Sequence, residues 1–380
     1  MRAKSNNFIL WMLLLAGTAS GVPQQTLFRP SVTDPAITQF NDRHYAVVDP
    51  AVTGRGRLLL FLPGTGATPL LYREFPKNAA RLGFHALGLM YPNDSAINVL
   101  CQQFAPSDPD AAGNARLEVI DGSDRVGFLA VDSINSIQNR LLKALQYLQA
   151  TYPSQGWGQY YSSSSLRWDK FIVCGHSQGS GMAAMLAKTR VTDRCIIFTG
   201  MDWWTGGTPT RPYNWMFTSP QTPVDRWYCF AHERDQFLDF TEMQAAAAAL
   251  DVTRYGAYER VESSTSDGYG SRHFLSTNLE PAPAQSSSYH GCPVVDAATP
   301  MQADGVTPVF KPLWDYLLLH DTQPITIECT PSSISIIFSP GTLEQSDDLF
   351  RWTPQPAATS PLVVPRSALP FRSFYRLRIP

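Results

Sequence analysis

Phe171-Ile172-Val173-Cys174-Gly175-His176-Ser177-Gln178-Gly179-Ser180-Gly181 is the stretch whose reading decides the fold. Its first four residues are apolar without a break, as in a strand covered on both faces. The next five spell Gly-x-Ser-x-Gly. Met182-Ala183-Ala184-Met185-Leu186-Ala187 then continues as a helix of small and apolar residues. Strand, sharp turn and helix in that order are the context a nucleophile elbow requires. In such an elbow a Ser sits on a strained turn, and its neighbours must be small for strand and helix to approach. Gly175 and Gly179 meet that need. The turn lifts the Ser177 hydroxyl clear of the sheet and aims the first N–H groups of the helix at the point where an oxyanion develops. The competing reading is a glycine-rich turn around a buried Ser.

The sequence on either side extends the same alternation. Arg57 to Leu62 is a second such run, apolar without a break from Leu58 on, and it ends at Pro63-Gly64-Thr65-Gly66-Ala67-Thr68-Pro69. A Gly-rich loop after an inner strand is where a second oxyanion donor belongs. No Gly-Lys-Ser/Thr follows it, which disfavours a nucleotide phosphate loop. His44–Val48 and His85–Tyr91 read as strands, and Leu70–Leu82 and Asp132–Tyr152 as helices. The stretch after Asp94, with Cys101 and several Asp and Pro residues, reads as a loop. Ser162–Ser165 reads as a polar break. Arg194–Thr199 and Arg226–Ala231 are further buried strands. Gln236–Leu250 reads as an Ala-rich helix, Gly256–Glu262 and Ser271–Thr277 as strand segments, and Pro308–Leu319 as the last helix. Strands alternating with helices predict an α/β protein with a mostly parallel central sheet flanked by helices. After His320 the pattern changes to short alternating strands such as Pro324–Cys329 and Ser333–Phe338, so residues 323–380 read as a small C-terminal β module.

A Ser hydroxyl needs a His base, and the His needs a carboxylate to fix its tautomer. In hydrolases built on an elbow the chain order is Ser, acid, His. Asp202, Glu233, Asp235 and Asp239 lie downstream at strand ends. Asp235 is favoured, because it stands where the second strand after the elbow gives way to a helix; Asp202 is the alternative. The competing role for Asp235 is a helix N-cap. His290 is favoured as the base because it lies in a loop, whereas the alternative, His273, lies inside a strand-like segment. Trp203 and Trp204 follow a strand's carboxyl end, where ligands bind in open α/β sheets, and are expected either to line a substrate pocket or simply to pack a loop.

Composition narrows the class. Of 380 residues, 44% are hydrophobic and 16% charged, so a large core is available. The net charge of -2, without a long basic run, gives no footprint for nucleic acid. Arg2 and Lys4, the apolar run Phe8–Ala16 and the small residues Gly17–Ser20 read as an export signal, residues 1–20, cleaved near Ala19 or Ser20. No other stretch is long and apolar enough to span a bilayer, so no stable span is expected after cleavage, and the expected location is secreted, periplasmic or cell-envelope. Export permits disulfides, and Cys101 and Cys292, both in loop-like stretches, are a candidate pair. No Cys/His spacing suggests a metal site.

Gly175-His176-Ser177-Gln178-Gly179, the Pro63-Gly64-Thr65-Gly66 loop and the acid-then-His order together resemble the α/β-hydrolase superfamily over about residues 40–320. The nearest likeness is to secreted bacterial esterase-like members, with some similarity to polyester hydrolases and chlorophyllase-like enzymes. The resemblance implies an α/β-hydrolase domain over residues 21–322 and acyl transfer through Ser177, His290 and Asp235. It implies an oxyanion hole from the N–H groups of Gln178 and Thr65, with no cofactor and no metal. A second His in the loop after the last strand, as in the chlorophyllase-like enzymes, favours His290. The long Asn278–Tyr289 insertion departs from the pattern. The C-terminal module loosely resembles modules of secreted bacterial proteins ending in Phe-Tyr-Arg-Leu, here Phe374–Leu377. The expected partner is a small-molecule or polymeric ester, with surface attachment through that module. The reading from another class is a non-catalytic secreted binding protein that keeps the fold.

Overall fold

The computed structural model describes residues 22–264, 267–285, 288–320, 326–337, 342–348, 350–355, 358, 362–368 and 373–378. The expected export signal lies outside the described residues.

The apolar runs become strands of one nine-stranded sheet. These are β1 (Gln24–Phe28), β2 (His44–Val48), β3 (Leu58–Leu62), β4 (His85–Gly88), β5 (Phe171–His176), β6 (Arg194–Phe198), β7 (Trp227–His232), β8 (Glu259–Arg260) and β9 (Phe274–Thr277). Their order across the sheet is β1-β2-β4-β3-β5-β6-β7-β9-β8. Only β2 breaks the parallel arrangement, pairing antiparallel with β1 and β4. From β4 to β8 every pairing is parallel. The inner strands show why their sequences do not alternate. Leu58, Leu60 and Leu62 of β3 enter one core, while Leu59 and Phe61 enter the other. Phe171 and Val173 of β5 likewise face away from Ile172 and Cys174. Both faces are dry, so both residue parities must be apolar.

One face is covered by α1 (Glu74–Arg81) and, at the far end of the chain, a helix over Lys311–Leu319. The other is covered by α2 (Ile97–Phe104), α3 (Ala111–Asp121), α4 (Ile137–Thr151), α5 (Gln178–Thr189) and α6 (Phe240–Ala249). The architecture is the α/β-hydrolase fold, with additional small C-terminal β-sheets. Thr326–Cys329, Ser333–Ile337 and Leu362–Pro365 form one antiparallel sheet there, and Thr342–Ser346, Thr353–Pro354 and Phe374–Arg378 another. Pro324, Ile325 and Phe338 of the expected strands lie outside the described residues.

Several local expectations are corrected. The stretch after Asp94 is not a loop but carries α2 and α3. Its helical pattern is masked because α3 turns charged residues inward. Arg116 and Glu118 are buried, and Glu118 accepts the N–H groups of Arg125 and Val126. Helices also start later than their apolar spacing suggests, because polar caps set the first turn. Ser136 accepts the Asn139 N–H at 3.3 Å ahead of α4, and Asp239 accepts the Thr241 N–H at 2.7 Å ahead of α6. Ser162–Ser165 is the tip of a two-stranded hairpin rather than a simple break.

Candidate active site

The turn between β5 and α5 has the geometry its sequence implies. Ser177 stands at φ 55°, ψ -121°, a positive φ that a side-chain-bearing residue rarely adopts. The glycines around it are dictated by backbone contact. A Cβ on Gly179 would lie 2.0 Å from the Leu62 carbonyl oxygen, and one on Gly175 would lie 2.2 Å from the Gly179 carbonyl. The turn is tied down from β6: the Ser177 N–H donates to the carbonyls of Phe198 (3.0 Å) and Thr199 (2.6 Å). Thr199 is itself held at φ 43°, so strain is concentrated on both sides of this contact. Residues 171–180 are buried except Ser177, which is partly exposed.

Ser177 opens into a cavity of about 490 Å³, walled by Gly64, Thr65, Ile97, Asn98, Val99, Met201, Phe237, Leu238 and His290 among others. His290 on this wall meets Asp235 behind it: His290 Nδ1 lies 2.7 Å from Asp235 Oδ2. The Asp235 side chain is fully buried, and its other oxygen accepts the N–H groups of Phe237 (2.8 Å) and Leu238 (3.1 Å). Asp239, not Asp235, caps α6, so the Asp235 carboxylate is free for the imidazole. The His290 main chain is fixed as well, its N–H donating to Gln236 Oε1 at 2.9 Å. The insertion before His290 is strapped to the acid loop. Arg234 pairs with Glu280 at 2.8 Å and donates to the Asn278 carbonyl at 2.9 Å, and His232 Nε2 donates to the Leu279 carbonyl at 2.7 Å.

The alternatives are engaged elsewhere. His273 is fully buried, stacked between the rings of Tyr228 (4.3 Å) and Tyr255 (3.9 Å), with Nδ1 against the Trp227 carbonyl. Burial pushes its pKa down to about 3, and it does not line the cavity. Asp202 does line the cavity, but its carboxylate grips both the Nε and an Nη of Arg116 and also accepts from Trp215 Nε1 at 3.1 Å. Arg116 then donates to the Gln178 carbonyl at 2.9 Å, so the pair buttresses the start of α5. Gly181 leaves the room for this, since a Cβ there would lie 2.2 Å from the guanidinium carbon.

The Gly-rich loop stands opposite the elbow. Asn93 clamps it by donating from Nδ2 to the carbonyls of Gly64 (2.6 Å) and Ala67 (2.9 Å), and Tyr91 donates to Pro63 at 2.8 Å. Thr65 Oγ1 donates to Gln178 Oε1 at 3.1 Å, which ties the loop to the helix start. Gln178 heads α5, so its N–H lacks the partner an interior helical residue has. The Thr65 N–H meets no acceptor among the described residues.

Two expectations fail. Trp203 and Trp204 do not wall the cavity; they pair with Arg211–Pro212 as a small hairpin, and Trp204 Nε1 donates to Pro106. Tandem aromatics at a strand end serve loop packing here. Cys101 and Cys292 are both buried free thiols in separate cores on opposite faces of the sheet, so they are not bridged. Burial pushes both thiols up to about 12. Asn93, Gln236, Tyr72 and Arg116 are site residues that the sequence did not announce. Only Asn93, just beyond the strand expected over His85–Tyr91, carried any positional signal. Among the described residues no cluster of three or more His, Cys, Asp or Glu side chains is arranged to hold a metal ion, and no helix is long and apolar enough to cross a membrane.

No protein-family model matches the chain, and no curated protein matches it.

Proposed function

We propose that this protein is a serine hydrolase of carboxylic esters, exported by its N-terminal segment, in which Ser177 is the nucleophile, His290 the base and Asp235 the orienting acid. The observation that carries this reading is the 2.7 Å contact between His290 Nδ1 and a fully buried Asp235, on the wall of the cavity that Ser177 enters from a positive-φ turn.

The chemistry follows from the hydrogen bonds. Asp235 can only accept, so the neutral imidazole carries its proton on Nδ1 and keeps a lone pair on Nε2. That lone pair takes the Ser177 proton as Oγ attacks the ester carbonyl. The imidazolium formed is stabilised by Asp235 and returns the proton to the leaving alcohol. The N–H groups of Gln178 and Thr65 receive the oxyanion, and Arg116, Asn93 and the Thr65–Gln178 contact keep both donors in place. Water, activated by the same imidazole, then releases the acyl group. Ile97, Val99, Met201, Phe237 and Leu238 make the cavity predominantly apolar, which suits a hydrocarbon acyl or alcohol group.

A fluorophosphonate probe tests this directly. Wild type is expected to be labelled and to hydrolyse a chromogenic short-chain ester, while Ser177→Ala does neither. Labelling that persists in Ser177→Ala would rule out Ser177 as the nucleophile.

A further inference from the structure

We infer that His176 and Tyr72 are positioning residues for the base, joined in a directional hydrogen-bond relay that runs from the Gly-rich loop, through the residue before Ser177, to the main chain of His290. The inference rests on the proposed roles of Ser177 and His290.

The relay has three links. The Gly64 N–H donates to the Tyr72 hydroxyl at 3.3 Å, that hydroxyl lies 3.0 Å from His176 Nδ1, and His176 Nε2 lies 2.9 Å from the His290 carbonyl oxygen. Tyr72 and His176 are 2% and 4% exposed, so water does not compete for these bonds.

Each proton in the relay has one consistent position. A carbonyl oxygen only accepts, so His176 Nε2 must carry a hydrogen. Burial first, and the neighbouring His290 second, push the His176 pKa down to about 3, so the ring is neutral and Nδ1 is bare. Nδ1 therefore accepts, and Tyr72 must give it its only proton. Burial raises the Tyr72 pKa, so that proton stays on the hydroxyl. The Tyr72 oxygen is left to accept from Gly64. No link can reverse without leaving a buried group unpaired, which is costly.

The geometry gives this relay a task. Residues 64, 176 and 290 come from three distant parts of the chain, yet they carry the oxyanion loop, the elbow and the base. The His290 carbonyl is held by His176, its N–H by Gln236 and its ring by Asp235. The rings of His176 and His290 also touch, with centroids 4.7 Å apart. A Cβ on Gly64 would stand 3.3 Å from His176 Nδ1, so the loop approaches the relay as closely as a bare backbone allows. Of the two residues flanking Ser177, Gln178 braces the oxyanion loop and His176 braces the base.

Tyr72→Phe removes one oxygen and the first two links while keeping the ring. Active-site-titrated turnover of a chromogenic acetate ester is expected to fall about tenfold or more in kcat, with KM within about twofold, because the base is displaced while the residue 72 ring, which lines the cavity, is kept. A role in folding alone would instead lower the melting temperature and leave kcat per titrated site unchanged, and that result overturns the inference. Ser177→Ala and His290→Ala are run alongside; turnover surviving in either sinks the reading of the site, and the relay with it. A second measurement does not depend on a variant folding. In ¹⁵N-histidine-labelled protein, His176 is expected as a neutral Nε2–H tautomer whose proton exchanges slowly. An Nδ1–H tautomer at His176 overturns the relay whatever the kinetics show.

Discussion

Two buried carboxylates stand at the cavity, Asp202 on its wall and Asp235 behind His290, and one substitution at each separates their roles. Asp235 accepts three hydrogen bonds, from His290 Nδ1 and from the N–H groups of Phe237 and Leu238. In Asp235→Asn the remaining oxygen can satisfy the two main-chain donors, which turns the amide NH₂ toward His290. The imidazole must then accept on Nδ1 and carry its proton on Nε2, so no lone pair faces Ser177. A tautomer error of this kind costs on the order of 10⁴ in kcat in a Ser-His-Asp site. That corresponds to about 5 kcal/mol of barrier. Asp202→Asn acts on a different quantity. It leaves the Arg116 guanidinium buried against a neutral amide, at about 3–5 kcal/mol of stability. Turnover per intact site should change only as far as α5 shifts. The assay is chromogenic ester hydrolysis normalised to sites titrated with a phosphonate, beside a urea melt of each variant. Asp235→Asn should be folded and nearly inactive; Asp202→Asn should be unstable but active where folded. Turnover above a tenth of wild type in Asp235→Asn, together with its loss in Asp202→Asn, would refute the assignment of the acid.

Two further outcomes follow from other parts of the molecule. His44, His176 and His273 are held near a pKa of about 3 and His320 near about 4, in each case chiefly by burial. The unfolded chain therefore binds more protons below about pH 6.5, so the stability these rings contribute is complete above that pH and falls with acidification toward the folded values. Lowering the pH from 7 to 5.5 should remove on the order of 5 kcal/mol across the four rings, read as a falling urea midpoint, and a flat midpoint would contradict it. Gly200→Ala should weaken the elbow from behind. The residue has φ 118°, and a Cβ would lie 2.5 Å from the Ser177 Cα, so the melting temperature and the phosphonate labelling rate are expected to drop together; wild-type values for both would show that β6 does not brace Ser177.

What could be read from the sequence was what is decided locally. The elbow is encoded within eleven consecutive residues, because a strained turn between backbones in contact admits almost nothing but glycine on either side. The inner strands were legible because burial on two faces removes polar residues altogether. Asp235 was favoured for its place where a strand gives way to a helix and His290 for its place in a loop; His290 lines the cavity and its Nδ1 lies 2.7 Å from Asp235 Oδ2. The failures share a cause. Arg116 and Glu118 turn inward on α3, so the rule that charges mark the surface hid that helix. Tyr72 and Gln236 act through partners that are distant in sequence or reached only by folding, and nothing in their neighbours marks them. Cys101 and Cys292 both sat in stretches that read as loops, and only the sheet between them shows that they belong to different cores.

The Asn278–Tyr289 segment before His290 shows how a long loop can deliver a side chain to a fixed place. Lengthening a loop is cheap in closure entropy, about 0.6 kcal/mol per doubling, so stability is not the difficulty. The difficulty is that a longer tether lets the proposed base wander, and even 1 Å of misplacement is costly to an oriented reaction. The contacts answer this at the two ends of the segment. Asn278 and Leu279 are held through their carbonyls by Arg234 and His232, and at the other end Tyr289 lies under the Arg234 guanidinium while His290 is bonded through N–H, carbonyl and ring. The Arg234–Glu280 pair is half-exposed and adds little by itself. The constraint comes from the main-chain bonds, which leave His290 no slack to inherit from the loop that delivers it. The position of the His290 imidazole is thus set by bonds at the residue itself and at the two ends of the segment that delivers it.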